Sequence, residues 1–215
     1  MPKFPNPPSL KDFLARDIPP KLTQLPAGTT IMRVHKLGGP YPMAWSDFRY
    51  HGPTSCRFDH QLEEGSTDRG IFYGAMGSSS FQTCLAEVYQ QNRVIDVVHH
   101  LPAVSLFASV EQITLLDLSG DFATRVGASA AINTGSRSRA RKWAQLLYDA
   151  YPECQGIQYL SSMNQGAVAL AIFERAAPAM PFSNLNSREL RDRAYKSAVE
   201  NAAANLGYEV VGYET

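Results

Sequence analysis

The segment that decides the fold class is "GIFYGAMGSSSFQTCLAEVYQ" at residues 70–90, because it joins a strand to a helix. Its first six residues combine aromatic, β-branched and small side chains, which is typical of a short buried strand. Three serines at 78–80 follow and can cap a helix. The apolar positions of that helix recur at helical spacing and are Phe81, Cys84, Leu85 and Val88. Glu87 lies beside this stripe, so the pattern predicts a helix with one carboxylate at the margin of its buried face.

The remaining elements are spread along the chain without a regular strand–helix alternation. Hydrophobic periodicity predicts strands at 29–35, 112–118, 155–162, 167–174 and 208–213. It predicts helices at 9–17, 138–151 and 186–207, with a less regular short helix within 119–132. This irregular order favours an α+β architecture over a doubly wound parallel sheet.

The segment 186–207 has the clearest helical pattern in the sequence. Asn186 and Glu189 have the spacing of a capping box, and Gly207 can adopt the left-handed conformation that ends a helix. The predicted packing face consists of Leu190, Ala194, Ala198, Ala202 and Leu206.

Composition allows one folded domain and excludes several partners. The chain has 215 residues, of which 44% are hydrophobic, so a substantial core is expected. Lys plus Arg equals Asp plus Glu at 20 each, and this balance predicts neither nucleic-acid nor membrane binding. The basic run "RSRARK" at 137–142 is typical of the solvated start of a helix. Ten of the 14 prolines fall within the first 53 residues, which predicts a leader at 1–28 that packs on a domain at 29–215.

The cysteines and the apolar runs indicate a compartment. Cys56, Cys84 and Cys154 are odd in number and form no CxxC, which favours a reducing environment. The start of the chain has no long apolar segment of a secretory signal, and no run approaches 18 apolar residues. We therefore expect a soluble, cytoplasmic protein, with delivery by a route without an N-terminal signal left open.

Several common motifs are absent. There is no GxGxxG, no GxxxxGK[ST] and no GxSxG, so the sequence lacks the phosphate-binding loops and the nucleophile elbow. Asp96, His99 and His100 are the strongest candidate metal ligands. Adjacent histidines seldom converge on one ion, and HExxH or paired CxxC patterns are missing, so no metal site is predicted.

Four short segments carry polar residues in apolar surroundings: "IMRVHK" with Arg33, "CRFDH" with Arg57, "GIFYGA" with Tyr73 and "GIQYLSS" with Ser161 and Ser162. Each has an ordinary structural interpretation. A strand arginine can face solvent or form an ion pair, and serines at a strand end often form turns. Glu87 can likewise face solvent and pair with a cation such as Arg93.

In order and spacing these segments, with the "TCLAE" helix, resemble the RES domain family between about Thr29 and Glu174. The resemblance implies an α+β, ADP-ribosyltransferase-like fold with a split β-sheet core flanked by helices. It also implies degradation of NAD+ by the toxin of a bacterial toxin–antitoxin pair, with an Xre-like antitoxin as the partner. On this reading the RES-type catalytic domain spans residues 29–215, including the C-terminal helix and edge strand.

The resemblance can be carried over by position. It implies catalytic roles for Glu87, Arg33 and Ser161, with Ser162 as the alternative serine. It implies binding of NAD+ by Arg33, Arg57, Tyr73 and Ser161. Many members have an aromatic residue after the first arginine, where this chain has Val34. His35, Trp45, Phe48 and Tyr50 are the candidates to replace that stacking surface.

These residue types suit the chemistry that the family implies. A carboxylate stabilises an oxocarbenium-like ribose as nicotinamide leaves. Two arginines match a pyrophosphate in charge and geometry, and a tyrosine can stack on a ring. NAD+ is then the substrate, and inorganic phosphate or water is the nucleophile. Transfer of ADP-ribose to a protein, and a catalytically inert nucleotide- or protein-binding module, remain open alternatives.

Overall fold

The structure is a computed structural model that describes residues 3–62, 68–181 and 184–213. Within these ranges the strands are β1 (Leu22–Leu25), β2 (Thr30–Lys36), β3 (Ile71–Ala75), β4 (Val94–Asp96), β5 (Pro102–Ala108), β6 (Ile113–Asp117), β7 (Gly156–Leu160), β8 (Val168–Phe173), β9 (Asn186–Glu189) and β10 (Glu209–Val211). The α-helices are α1 (Leu10–Leu14), α2 (Ser80–Tyr89), α3 (Phe122–Arg125), α4 (Arg137–Ala150) and α5 (Lys196–Leu206).

Eight of the described strands form one mixed sheet in the order β1-β6-β7-β8-β3-β2-β5-β9, and β4 and β10 form a separate parallel pair. The neighbours are antiparallel except β6 and β7. Apolar clusters lie on both faces, one beneath α4 and another beneath α2 and α5. The α+β prediction is confirmed.

The sheet is split between β2 and β3. These strands pair through a single residue pair, Met32 with Ala75, whereas β2 pairs with β5 along its whole length. A Cβ at Gly74 would lie 2.9 Å from the Ile31 side chain and 3.0 Å from the Met32 carbonyl oxygen. Glycine therefore permits the close approach at the junction, and the strands diverge beyond it.

Helix α2 covers this split, but its buried face differs from the predicted stripe. The N-cap residue is Ser79, and its side chain makes no capping hydrogen bond. The buried residues are Ser80, Thr83, Cys84, Leu85 and Ala86. The prediction that Val88 lies in the core is wrong, because its side chain is 41% exposed and lines a cavity.

Residues 3–28 contact the sheet and α4 at several points. β1 pairs with β6, and Phe13 is fully buried beside Tyr151. The Trp143 indole donates a hydrogen bond to the Pro5 carbonyl at 3.0 Å. This segment therefore contributes an edge strand and apolar side chains to the core.

The helix predicted at 186–207 is wrong over its first half. Residues 186–189 form β9 on the outer edge of the sheet, so Asn186 and Glu189 do not form a capping box. Pairing with β5 gives the backbone groups of residues 186–189 hydrogen-bond partners. Such tertiary contacts override the local helix propensity. Ala194 and Ala198 are exposed, and the buried residues of α5 are Val199, Ala202 and Ala203. Gly207 ends the helix in the left-handed conformation, as predicted.

None of the helices in the described ranges has the length and apolarity needed to cross a bilayer.

Candidate active site

A cavity of about 270 Å³ opens where β2 and β3 diverge beneath α2. Four of the five residues predicted for the site line it: Arg33 from β2, Arg57 from the long loop, Tyr73 from β3 and Glu87 from α2. The fold thus brings together side chains that are up to 54 positions apart in the sequence.

The half-buried carboxylate of Glu87 is held by hydrogen bonds. The hydroxyl of Ser161 donates to Oε1 of Glu87 at 2.6 Å. Ser161 itself accepts hydrogen bonds from the backbone N–H groups of Met163 and Asn164. Ser161 is 3% exposed and does not line the cavity, whereas Ser162 is exposed. Of the two serines, Ser161 is therefore the one that orients Glu87.

Gln90 is a second contact to the same carboxylate. Its amide nitrogen donates to the Glu87 carbonyl and lies 3.4 Å from Oε2. Its amide oxygen accepts from Arg137 at the start of α4. This network links the acid to a neighbouring helix.

Arg33 is 5% exposed and is fixed on two sides. Nη1 donates to the carbonyl oxygens of Trp45 (3.0 Å) and Asp47 (2.9 Å), and the guanidinium lies 4.0 Å from the centre of the Phe72 ring. Burial lowers the pKa of Arg33 to about 10, so it remains charged at neutral pH. Its Nε atom is buried without a hydrogen-bond partner among the described residues.

Arg57 and Tyr73 form the opposite side of the cavity. Arg57 donates to the carbonyl oxygens of Ile132 (2.9 Å) and Gly135 (3.0 Å), in the loop before α4. Burial lowers the pKa of Arg57, and the nearby Glu87 carboxylate opposes that shift. Tyr73 donates its hydroxyl to the Arg57 carbonyl at 3.0 Å, and burial raises the pKa of Tyr73.

The electrostatics of the cavity follow from these partners. Arg33 and Arg57 donate to neutral carbonyls, and neither forms an ion pair with a carboxylate within the described ranges. Arg49 also lines the cavity, but its charge is balanced by the buried Asp59 at 2.7 Å. Two largely buried positive charges thus face one carboxylate, an arrangement that attracts an anion.

Sequence analysis missed several residues of this cavity, including Arg49, Cys56, Gln90 and Tyr159. Tyr159 lies two residues before Ser161, on the same face of the extended chain, and this spacing is a signal that could have identified it. Arg49 and Asp59 lie in a loop without periodicity, so no local pattern indicates their contact.

The predicted substitutes for the aromatic residue at Val34 are not at the cavity. His35 is buried, with Nδ1 donating to the Met43 carbonyl at 2.9 Å and Nε2 accepting from Ser105 at 2.8 Å. Trp45 and Phe48 pack on core aromatics, and Tyr50 lies outside the lining. These four candidates are therefore wrong. The aromatic surfaces of the cavity are Tyr73 and Tyr159.

No group of three or more His, Cys, Asp or Glu residues suited to a metal ion occurs in the part of the chain that the structure describes. Asp96, the central member of the candidate set, uses its carboxylate to accept hydrogen bonds from the backbone of Val98 and His99.

Comparison with known protein families identifies the family of the chain. The model of the RES domain matches residues 30–192. The chain belongs to the RES domain family. No curated protein matches the sequence.

A solved structure extends the likeness to the fold. The chain resembles one from the crystal structure of the M. tuberculosis MbcT–MbcA toxin–antitoxin complex, with a TM-score of 0.52. The match covers 87% of this chain and 94% of that chain, at 16% sequence identity. The predicted ADP-ribosyltransferase-like fold is confirmed.

Proposed function

We propose that this RES domain protein is a toxin that degrades NAD+ by breaking the bond between nicotinamide and ribose. The observation that carries the proposal is a single cavity in which an oriented carboxylate, Glu87, faces two arginines that pair with no carboxylate among the described residues. A carboxylate suits the positive charge that develops on ribose, and the arginines suit a pyrophosphate.

The bond change is simple. The bond between ribose C1′ and the nicotinamide nitrogen breaks, and its electron pair leaves with neutral nicotinamide. The ribose carbon becomes oxocarbenium-like and is stabilised by the Glu87 carboxylate. An oxygen of hydrogen phosphate or water then bonds to that carbon and its proton is released to solvent, giving ADP-ribose 1″-phosphate or ADP-ribose.

Four of the cavity residues, together with Ser161 behind Glu87, have roles in this proposal. Glu87 stabilises the ribose cation, and Ser161 positions Glu87 through the 2.6 Å hydrogen bond. Arg33 and Arg57 provide the positive field for the pyrophosphate while holding the surrounding loops. Tyr73 offers its ring as a stacking surface for nicotinamide.

The test is incubation of the purified chain with NAD+, with and without inorganic phosphate, followed by product identification. We expect nicotinamide release in at least one condition. A phosphorylated sugar product that appears only with phosphate identifies phosphorolysis, and ADP-ribose alone identifies hydrolysis. Stable NAD+ in both conditions contradicts the proposal, and label transferred from NAD+ to a protein replaces it with ADP-ribosyl transfer.

The proposal includes a partner, an Xre-like antitoxin. The structural relative comes from a complex of a toxin with its antitoxin. Co-expression with the product of the adjacent gene is expected to restore growth of cells that produce this chain. A neighbour that neither binds nor protects contradicts this part.

We also propose that residues 29–215 carry the activity and that residues 1–28 stabilise them. Deletion of 1–28 removes β1 and the buried Phe13, so we expect a lower melting temperature. The melting temperature of the truncated chain, measured by calorimetry, checks this, and an unchanged value contradicts it.

A further inference from the structure

A second cavity lies next to the first. It has a volume of about 410 Å³ and shares the side chain of Val88 with the first cavity. The two also meet along β2, where Val34 lines the first cavity and Lys36 lines the second. These two residues are on the same face of the strand and roughly 7 Å apart.

The first cavity is small for a dinucleotide. Pockets for drug-sized ligands hold about 300–1,000 Å³, and the first cavity holds about 270 Å³. A dinucleotide is at least as large as such ligands. It therefore has to extend beyond the walls formed by Glu87 and the arginines.

The lining of the second cavity has the polar groups that one nucleotide needs. Lys36 is exposed and forms no ion pair with a carboxylate in the described part of the chain, so it is available to a phosphate. The Asp96 carboxylate is held in place by two backbone N–H groups, and carboxylates commonly bind ribose hydroxyls. Asn92 has an amide that can pair with the edge of adenine, and the His99 ring offers a flat surface.

We infer that this second cavity binds the adenosine monophosphate half of the dinucleotide, while the first cavity holds the nicotinamide ribose half. The inference rests on the proposed function, since it assigns the remainder of the same substrate. Val88, which was expected in the core, is exposed and lines both cavities.

The experiment measures binding in a chain that cannot turn over its ligand. Calorimetric titrations of NAD+ and of nicotinamide mononucleotide, which lacks the adenylate half, are made on the Glu87→Gln variant. The same titrations are made after adding Lys36→Ala, Asn92→Ala or the control Lys142→Ala. Lys142 is an exposed lysine on α4 with no ion pair or hydrogen bond among the described residues, and thermal melting verifies that each variant is folded.

Lys36→Ala is expected to raise the Kd of NAD+ roughly tenfold, the loss of one charge-assisted contact. Asn92→Ala is expected to raise it roughly threefold, the loss of a weaker neutral hydrogen bond. The Kd of the mononucleotide should change less than about twofold in both, and Lys142→Ala should change neither ligand. An unchanged Kd for NAD+, an equal loss for both ligands, or no NAD+ binding at all overturns the inference.

Failure of the proposed function has a different signature. In that case the wild-type chain does not consume NAD+, and this result does not depend on whether Lys36→Ala changes the Kd of NAD+.

Discussion

The two sides of the first cavity hold their charged groups in different ways. On the helix side, Glu87 is held by side chains, through the Ser161 hydroxyl and the Gln90 amide. On the strand-and-loop side, Arg33 and Arg57 each donate to two backbone carbonyls of neighbouring loops.

The difference separates a residue that acts only in the reaction from residues that also hold the wall of the cavity. Replacing Glu87 leaves every backbone group with its partner, so its loss should affect the reaction and little else. Replacing an arginine leaves two carbonyl oxygens without a hydrogen-bond donor and frees a loop that forms the cavity wall. The loss of an arginine should therefore affect both the reaction and the stability of the fold.

The largest combined effect is expected from Arg33→Met. The variant loses two hydrogen bonds from a charged donor, so its free energy of unfolding should fall by about 3 kcal/mol. Turnover of NAD+ should fall about 100-fold as the loop at 45–47 loses its anchor and the cavity loses a charge. Urea unfolding and kinetic assays measure the two losses.

Arg141→Met is the matched control for Arg33→Met, because Arg141 on α4 makes no hydrogen bond or ion pair among the described residues. It should leave both quantities nearly unchanged. If Arg33→Met loses activity but keeps the stability of the wild type, Arg33 does not stabilise the loop, and the comparison between the two sides is wrong.

A pH titration of stability sharpens the comparison on the strand side. Burial and the neighbouring Arg33 hold the pKa of His35 at about 4, below its ordinary value of 6.5. The unfolded chain therefore binds more protons between pH 6.5 and 4, and the stability due to neutral His35 falls as the pH falls through that window. The expected loss is about 3 kcal/mol.

His35→Gln isolates this contribution to the pH dependence. Glutamine cannot titrate but can still bridge the Met43 carbonyl and Ser105. The free energy of unfolding of the variant, measured by urea at pH 7 and pH 4, should fall less than that of the wild type. Parallel curves for the two proteins show that His35 does not contribute.

The smallest of these effects is expected on the helix side, from Ser161→Ala. Glu87 loses its orienting hydroxyl, so kcat should fall roughly tenfold to 100-fold while KM stays nearly constant. Ser161→Thr keeps a hydroxyl and should recover most of kcat. Ser162→Ala is the control, since Ser162 is exposed, and a loss in that variant equal to the loss in Ser161→Ala argues against the assignment.

The sequence was sufficient to predict that Glu87 and Tyr73 lie at the site, but not which loop residues surround them. Glu87 and Tyr73 lie on elements with strong local periodicity, and their positions relative to α2 and β3 follow from that pattern. The ion pair between Arg49 and Asp59 joins two loop residues, and loop conformation depends on contacts that no local period encodes.

The pairing of strands that are distant in the sequence explains the two clearest wrong predictions about the fold. Residues 186–189 have a helical pattern but pair with β5, whose edge would otherwise leave backbone groups unsatisfied. Val88 has the spacing of a core residue, yet the sheet beneath it is split. Neither the partner strand nor the split can be predicted from the local segment alone.

The most direct test of the account is Glu87→Gln, measured for both NAD+ consumption and melting temperature. Glutamine can still accept the Ser161 hydrogen bond but cannot stabilise a ribose cation with a full negative charge. We predict that nicotinamide release falls at least 100-fold while the melting temperature stays within about 2 °C of the wild type. Continued nicotinamide release by a well-folded Glu87→Gln variant would contradict the central claim.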